Sequence, residues 1–459
     1  MTARLRESLH GAAGDVPAYP VYERALATAR RSRRRTGFAI AAVLVLVALA
    51  GAVPPLVDTV APAAAGADAA LPDRVGVPPL GSLHATDRPR LGPASVIFTG
   101  QGHELEYGMG GSLITVVGAR DDRYRIIRGG VEVRAGVDAV LSANGRQVAV
   151  SADISPHPAV RIVDLATGRS RDVGSGVAGT DLVEPVAWSP DGRALVVRDT
   201  VPVDPERTGH RHVLSIVWPD DDRRTRLAEA DTDEGLGSAV AFAPHGERLA
   251  FQTGRTVTVA DVEGRRLSSF TLAADAELAG KGAWSADGRT LTVTRRGIDS
   301  WSLGRVDAVT GRDLGLINTP AVSGVTAIRL LGWAADGSAR VVAYQPGPHA
   351  PGAFNSPIDM DQRLAYINVG TVRVLALAPG AGAPTTLLVA PDDVVSIDVS
   401  DTVVHGGRTR EAHPPGGVGP RFWFWTSFIP LLLAAIVAYR CRKGLALWLD
   451  DRRVRRSRG

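Results

Sequence analysis

Cysteine is almost missing from this chain: Cys441 stands alone in 459 residues, which excludes a disulfide framework and any cysteine-rich zinc site. Lysine is nearly as scarce, with Lys281 and Lys443 the only two among 52 basic residues, and methionine occurs three times. No Gly-x-Ser-x-Gly elbow occurs, so the nucleophile turn of an α/β-hydrolase is absent. His103-Glu-Leu-Glu-Tyr107 opens like a zinc-protease helix but lacks the second His that would complete the metal site. What is present is 45% hydrophobic and 22% charged, an ordinary globular mixture that excludes disorder for the bulk of the chain. The length allows one large domain or two to three average ones.

A net charge of +4 invites a nucleic-acid reading, and the distribution of charge removes it. Residues 1–37 carry eight Arg against three carboxylates, and residues 440–459 carry eight Arg or Lys against two. The stretch between these basic tails is therefore at −7. A nucleic-acid binder places its basic residues on a folded face interleaved with aromatics, not in two short tails.

Each basic tail adjoins an uncharged run. Residues 38–57, FAIAAVLVLVALAGAVPPLV, are long enough to span a bilayer core of roughly 30 Å and have no polar face. A 37-residue leader is long for a cleaved signal peptide, so an uncleaved signal-anchor is expected. Residues 422–439, FWFWTSFIPLLLAAIVAY, place Trp423 and Trp425 at one end and Tyr439 at the other, as in an aromatic belt. Basic flanks stay cytoplasmic, so both termini are expected inside and the intervening residues outside. Residues 58–94, rich in Ala and Pro, and 405–421 read as tethers.

A repeat fills residues 95–404. Ala187-Trp-Ser-Pro-Asp-Gly192-Arg recurs as Ala241-Phe-Ala-Pro-His-Gly246-Glu, Ala283-Trp-Ser-Ala-Asp-Gly288-Arg and Gly332-Trp-Ala-Ala-Asp-Gly337-Ser, with an earlier copy at Leu141-Ser-Ala-Asn-Gly145-Arg. The glycines are spaced by 47, 54, 42 and 49 residues. In each copy a residue of the inner strand, most often aromatic, precedes a tight turn, where Asp191, Asp287 or Asp336 sits before a glycine at positive φ. The Pro379-Gly-Ala-Gly382 stretch reads as looser chain. Four short strands per 40–55 residues describe a propeller blade, whose radial closure leaves only short, protected sheet edges. Six blades fit the length best, with seven the alternative. The atypical ends, 95–135 and 394–404, read as a shared closing blade.

Ser189-Pro-Asp-Gly-Arg193 and Ser285-Ala-Asp-Gly-Arg289 resemble the WD40-like repeats of TolB-type bacterial propellers, over the whole of 95–404. The Ala/Gly/Arg/Val-rich composition resembles that of actinobacterial proteins. The fold class implied is all-β, a six-bladed propeller flanked by two transmembrane α-helices. Propellers host unrelated tasks, so function must be argued from the site.

Letter matches elsewhere read as loops. Residues 174–179 match G-x-G-x-x-G but lead into Thr180-Asp-Leu-Val and not into a helix N-terminus, which phosphate binding requires. Asp231-Thr-Asp-Glu-Gly235 lacks the distal Glu of a calcium loop. His210 and His212 alternate along one strand with no further ligands fixed by the sequence. The chain is accordingly expected to be a membrane-anchored, extracytoplasmic binding module for a ligand or protein, without catalysis or cofactor. Inter-blade loops would form its site. Its Arg-rich tails would meet anionic lipid. The alternative is a transmembrane regulator: the leader weakly resembles membrane partners of actinobacterial sigma factors, with Tyr22 and Leu26 as the contact for a cytoplasmic protein.

Overall fold

The computed structural model describes residues 69–101, 105–107, 111–152, 157–203, 209–231, 236, 239–347, 369–416 and 419, with positions 422, 426, 428–437 and 439. The leader with Tyr22 and Leu26, the run 38–57, His103, residues 232–235 and the tail with Cys441 lie outside these. The chain divides into two units, Met1–Val57 with Phe422–Gly459, and Asp58–Arg421.

The larger unit is a six-bladed β-propeller. Blades 1, 2, 3 and 5 are four-stranded antiparallel sheets in simple chain order, and blade 4 adds the short strand Val322–Ser323 beside Ser300–Asp307. The innermost strands of blades 1 to 5 are Ala139–Leu141, Leu182–Trp188, Val240–Phe242, Ala276–Leu278 and Ala327–Trp333. Blade 6 joins the two ends of the domain: Val394–Val399 is its inner strand, followed outward by Ala94–Gly100, Gly111–Gly118 and Tyr124–Val131. Val96 pairs with Val399, which closes the ring through a 300-residue separation no local signal encodes. Thr99 Oγ1 and Ser396 Oγ lie 2.6 Å apart across this closure, and the Ala135 amide donates to Ser396 Oγ at 2.9 Å.

Burial follows the radial order. Inner strands are mostly buried, with only Leu182, Val186, Arg329 and Trp333 half-buried, whereas the outermost strands Ser170–Gly174 and Asp313–Leu316 alternate or are fully exposed. The apolar core consequently lies in slabs between neighbouring blades. Val140, Val160 and Ile162 of blade 1 pack against Val183, Trp188 and Leu195 of blade 2. Trp188 Nε1 donates to Val140 O at 3.3 Å, and Trp284 Nε1 to Ala241 O at 2.9 Å, so each indole bonds to the inner strand of the preceding blade.

The structure differs from the tether reading at both flanks of the ring. Leu71–Pro72 pairs in parallel with Thr409–Arg410, and Ala412 N donates to the Asp73 carboxylate at 3.0 Å. Arg410 pairs with Asp122 of blade 6, and Gly419 N donates to Leu80 O at 2.7 Å. Residues 83–85 add alongside the outer strand of blade 6 through two bonds to Ile126, covering its edge. The cause is apolar content: Leu71, Val75, Ala85 and Leu91 are buried, which offsets the entropy that a proline-rich segment otherwise keeps. A six-residue helix, α1 (Asp401–Gly406), links the closing strand to this strap.

Among the described residues no helix is long and apolar enough to cross a membrane. The described positions of 422–439 are helical, and Ile429, Leu432, Leu433, Ile436 and Val437 on them are exposed.

Candidate functional site

The repeat turns explain why Ser, Asp, Gly and Arg occur at fixed offsets. Ser189 Oγ donates to Asp191 Oδ1 at 2.6 Å, the same carboxylate oxygen accepts Arg193 N at 3.0 Å, and Ser189 Oγ accepts Ala194 N at 2.9 Å. Ser285 and Asp287 repeat this arrangement at 2.6 Å in blade 4, and Asp336 accepts Ser338 N at 2.9 Å in blade 5. Bonds from Ser285 and Arg289 hold the Asp287 carboxyl below its ordinary range. Gly145, Gly192, Gly246, Gly288 and Gly337 sit at φ 70°, 70°, 77°, 64° and 81°. Gly380 is also left-handed, at φ 72°, so the Pro-Gly-Ala-Gly stretch is turned as tightly as the repeats. At Gly145 a Cβ would also strike the Ala94 carbonyl, where the chain enters blade 6.

None of these turn residues lines the cavity that the six blades enclose, but their neighbours Ala143 and Pro190 do. It occupies the central channel, has a volume of about 110 Å³, and draws wall residues from all six blades. Val140, Val186, Val240, Leu278 and Ile328 form an apolar belt, to which Trp188 and Phe242 add aromatic surface. The exposed positions Pro190 and Asp401 and the half-buried Ala143 mark its rim on the side of the repeat hairpins.

Two charged knots border the belt. In the first, Lys281 of blade 4 reaches across the channel to the closing strand. Its ammonium lies 2.6 Å from Val399 O, 2.9 Å from Asp401 Oδ1 and 3.1 Å from Asp398 Oδ1. Arg329 of blade 5 donates to Ile397 O at 2.5 Å and to Tyr344 Oη at 3.1 Å, and its guanidinium stands 3.7 Å from Asp398. The Asp398 carboxylate, 1% exposed, also accepts Leu141 N of blade 1 at 3.0 Å. Burial pushes this carboxyl up, but Lys281, Arg329 and the Leu141 amide outweigh it and leave it below its ordinary value. Burial likewise pushes Lys281 down, and Asp398 and Asp401 more than restore it. Gly136 is the residue against which the Arg329 guanidinium rests, with no room for a Cβ.

In the second knot Arg134 and Asp138 pair at 2.8 Å, Arg198 and Glu184 pair at 2.9 Å, and Arg198 stands 3.9 Å from Asp138. Arg198 Nη1 also donates to Leu236 O at 3.2 Å. Burial raises the Glu184 carboxyl above its ordinary value, with Arg198 working against it.

Lys281 carried a sequence signal in its rarity, one lysine in a domain that otherwise uses arginine. Asp398 and Arg329 carried none, because their pairing joins the inner strands of two different blades, far apart in the chain. The other candidate residues fall elsewhere. Residues 174–179 form the loop between blades 1 and 2, where Ser175 Oγ and Thr180 Oγ1 lie 2.7 Å apart. His212 Nδ1 lies 3.0 Å from Thr200 Oγ1 on the neighbouring strand of blade 2. Among the described residues no group of three or more His, Cys, Asp or Glu side chains is placed to hold a metal ion.

No family model and no curated protein matches the chain. Solved structures similar to it include TolB from Acinetobacter baumannii, at 12% identity and a TM-score of 0.40, covering 66% of this chain and 65% of that one. Oligogalacturonate lyase from Vibrio parahaemolyticus aligns at 13% identity and 0.40, covering 65% and 81%. An acylaminoacyl peptidase aligns at 10% and 0.35, covering 64% and 50%. The chain thus spans under two thirds of the length of the TolB and peptidase chains. The blade count rests on the strand pairing itself.

Proposed function

We propose that this protein is a membrane-anchored propeller, exposed outside the cytoplasm, that binds a ligand or protein partner at the hairpin end of its channel without catalysing a reaction. The observation that carries the reading is the channel cavity: it is walled by every blade, it sets an apolar belt beside convergent polar groups, and its charged neighbours are engaged with one another. Concave, mostly apolar sites with a few convergent polar groups are the usual form of a binding pocket. The exposed apolar side chains at 429–437 support an anchor that meets lipid, and the basic tail beyond them supports a cytoplasmic C-terminus that meets anionic headgroups.

A photo-crosslinking residue placed at Pro190 on the channel rim, and in a second variant at Leu314 on the outer edge of blade 4, tests this in whole cells. Crosslinked species are expected from position 190 and not from position 314. Crosslinking confined to position 314, or equal at both, would move the binding surface off the channel.

A further inference from the structure

The charged residues at and beside the cavity are paired with one another. Lys281 and Arg329 face Asp398 and Asp401, Arg198 faces Glu184, and Arg134 faces Asp138. The three donors of the Lys281 ammonium meet three oxygens within 3.1 Å. Arg329 is divided among Asp398, Ile397 O and Tyr344 Oη, and Arg198 among Glu184, Asp138 and Leu236 O. An ionic ligand entering here would lose its hydration and, to gain a countercharge, would have to break a buried pair and strand its partner. An uncharged ligand meets neither obstacle, and the apolar belt rewards it by burial.

Resting on the channel reading above, we infer that the cavity takes an uncharged, largely apolar group about the size of a single ring, and discriminates against ions of either sign. The size follows from the volume of about 110 Å³, against the roughly 150 Å³ of an apolar cavity that accommodates benzene. The wall is suited to such a group, with Trp188 and Phe242 on one side and Ile328 and Leu278 on the other. The knots act as walls. They fix the inner strands around the cavity and keep ions out, without themselves donating to the occupant.

Three ligands of nearly equal shape decide the matter on the full-length protein in detergent: benzyl alcohol, benzoate and benzylammonium, each followed by ligand-observed NMR. Val137 is half-buried in the cavity wall, so Val137→Phe fills the space from its edge, and Ala143→Leu at the rim is a second filling variant in case the first disturbs folding. The difference between parent and filled protein cancels partition into detergent. Benzyl alcohol should bind the parent about tenfold or more tightly than either ion, since each ion would be desolvated unpaired. Its affinity should hold within about twofold when the ionic strength rises tenfold, because an uncharged ligand feels no screening. N-acetylphenylalaninamide, also uncharged, then tells a free small molecule from a side chain on a peptide: competition points to the peptide source, exclusion to the free one, and either upholds the uncharged ring. Equal or tighter, salt-sensitive binding of benzoate or benzylammonium would overturn the inference while leaving the channel a ligand site. If no probe distinguishes the parent from the filled variants, the channel reading itself falls and takes the inference with it.

Discussion

Gly145 and Gly192 share a turn and a left-handed φ of 70°, but only Gly145 has the Ala94 carbonyl where a Cβ would stand. Gly192→Ala should cost about 1–2 kcal/mol, the strain of a left-handed alanine. Gly145→Ala should cost at least about 1 kcal/mol more, from overpacking at the ring closure. Gly382→Ala, in open space and outside the left-handed region, is the reference with little effect; Gly380 could not serve, being left-handed itself. Urea midpoints of the three variants check this order, and equal shifts at 145 and 192 would refute it. Lys281 invites a different test, because its removal leaves Asp398 buried and charged. Lys281→Met should destabilise by about 3–5 kcal/mol, and adding Asp398→Asn should recover part of the loss. The pH dependence has a definite sign. The folded Asp398 carboxyl is depressed, so its contribution is fully present above the unfolded value of about 4 and is lost as pH falls through the lower folded value. Glu184 is raised and works the other way, costing stability as pH climbs from its unfolded to its folded value. Asp398→Asn should therefore flatten the acid arm of a stability-versus-pH curve, and an unchanged arm would show that Asp398 is not held as described.

Between blades, the unit of cohesion is an aromatic on or just beyond one inner strand set against the inner strand of the blade before it. Trp284→Phe keeps most of the ring and deletes the bond to Ala241 O, so a loss of about 1–2 kcal/mol is expected in the unfolding midpoint. Phe242 fills the matching position of blade 3 without a donor, which shows that the slab accepts the smaller ring. A loss above that of a large-to-small core substitution would mean the indole packs more than it bonds. This scale also marks what could be read from the sequence. Five blades were legible because each announces itself in one short stretch around a left-handed glycine, where in blades 2 and 4 Ser, Asp, Gly and Arg satisfy one another locally. The sixth was legible only as a leftover at both ends, since Ala94–Gly118 and Val394–Val399 meet across the whole domain. The strap was missed because Pro and Ala conceal a pairing that needs just two residues, Leu71 and Pro72, beside Thr409 and Arg410. The cavity's apolar belt follows from the buried inner strands, whereas the Lys281–Asp398 pair depends on ring geometry and left no local pattern; Arg198 and Glu184 are cross-strand partners within the blade 2 hairpin.

At the scale of the molecule, the unequal charge of tails and middle makes topology testable with the single thiol. Cys441 should resist a membrane-impermeant maleimide in intact cells and react after permeabilisation; labelling of intact cells would reject the proposed two-span arrangement. The strap then acquires a mechanical meaning. Its two strands are parallel, so the chain reaches Leu71 at one end of the pair and continues past Arg410 at the other. Tension drawing the two flanks apart along their own directions loads the Leu71–Arg408, Asp73–Arg410 and Asp73–Ala412 bonds together, side by side, instead of peeling them in turn. Each such bond is worth only about 1 kcal/mol at rest, yet in shear they must fail as a set. The strap is thus a shear pin: force arriving through the chain ends is spent at the rim of blade 6, and the Val96–Val399 pairing that holds the ring shut stays slack.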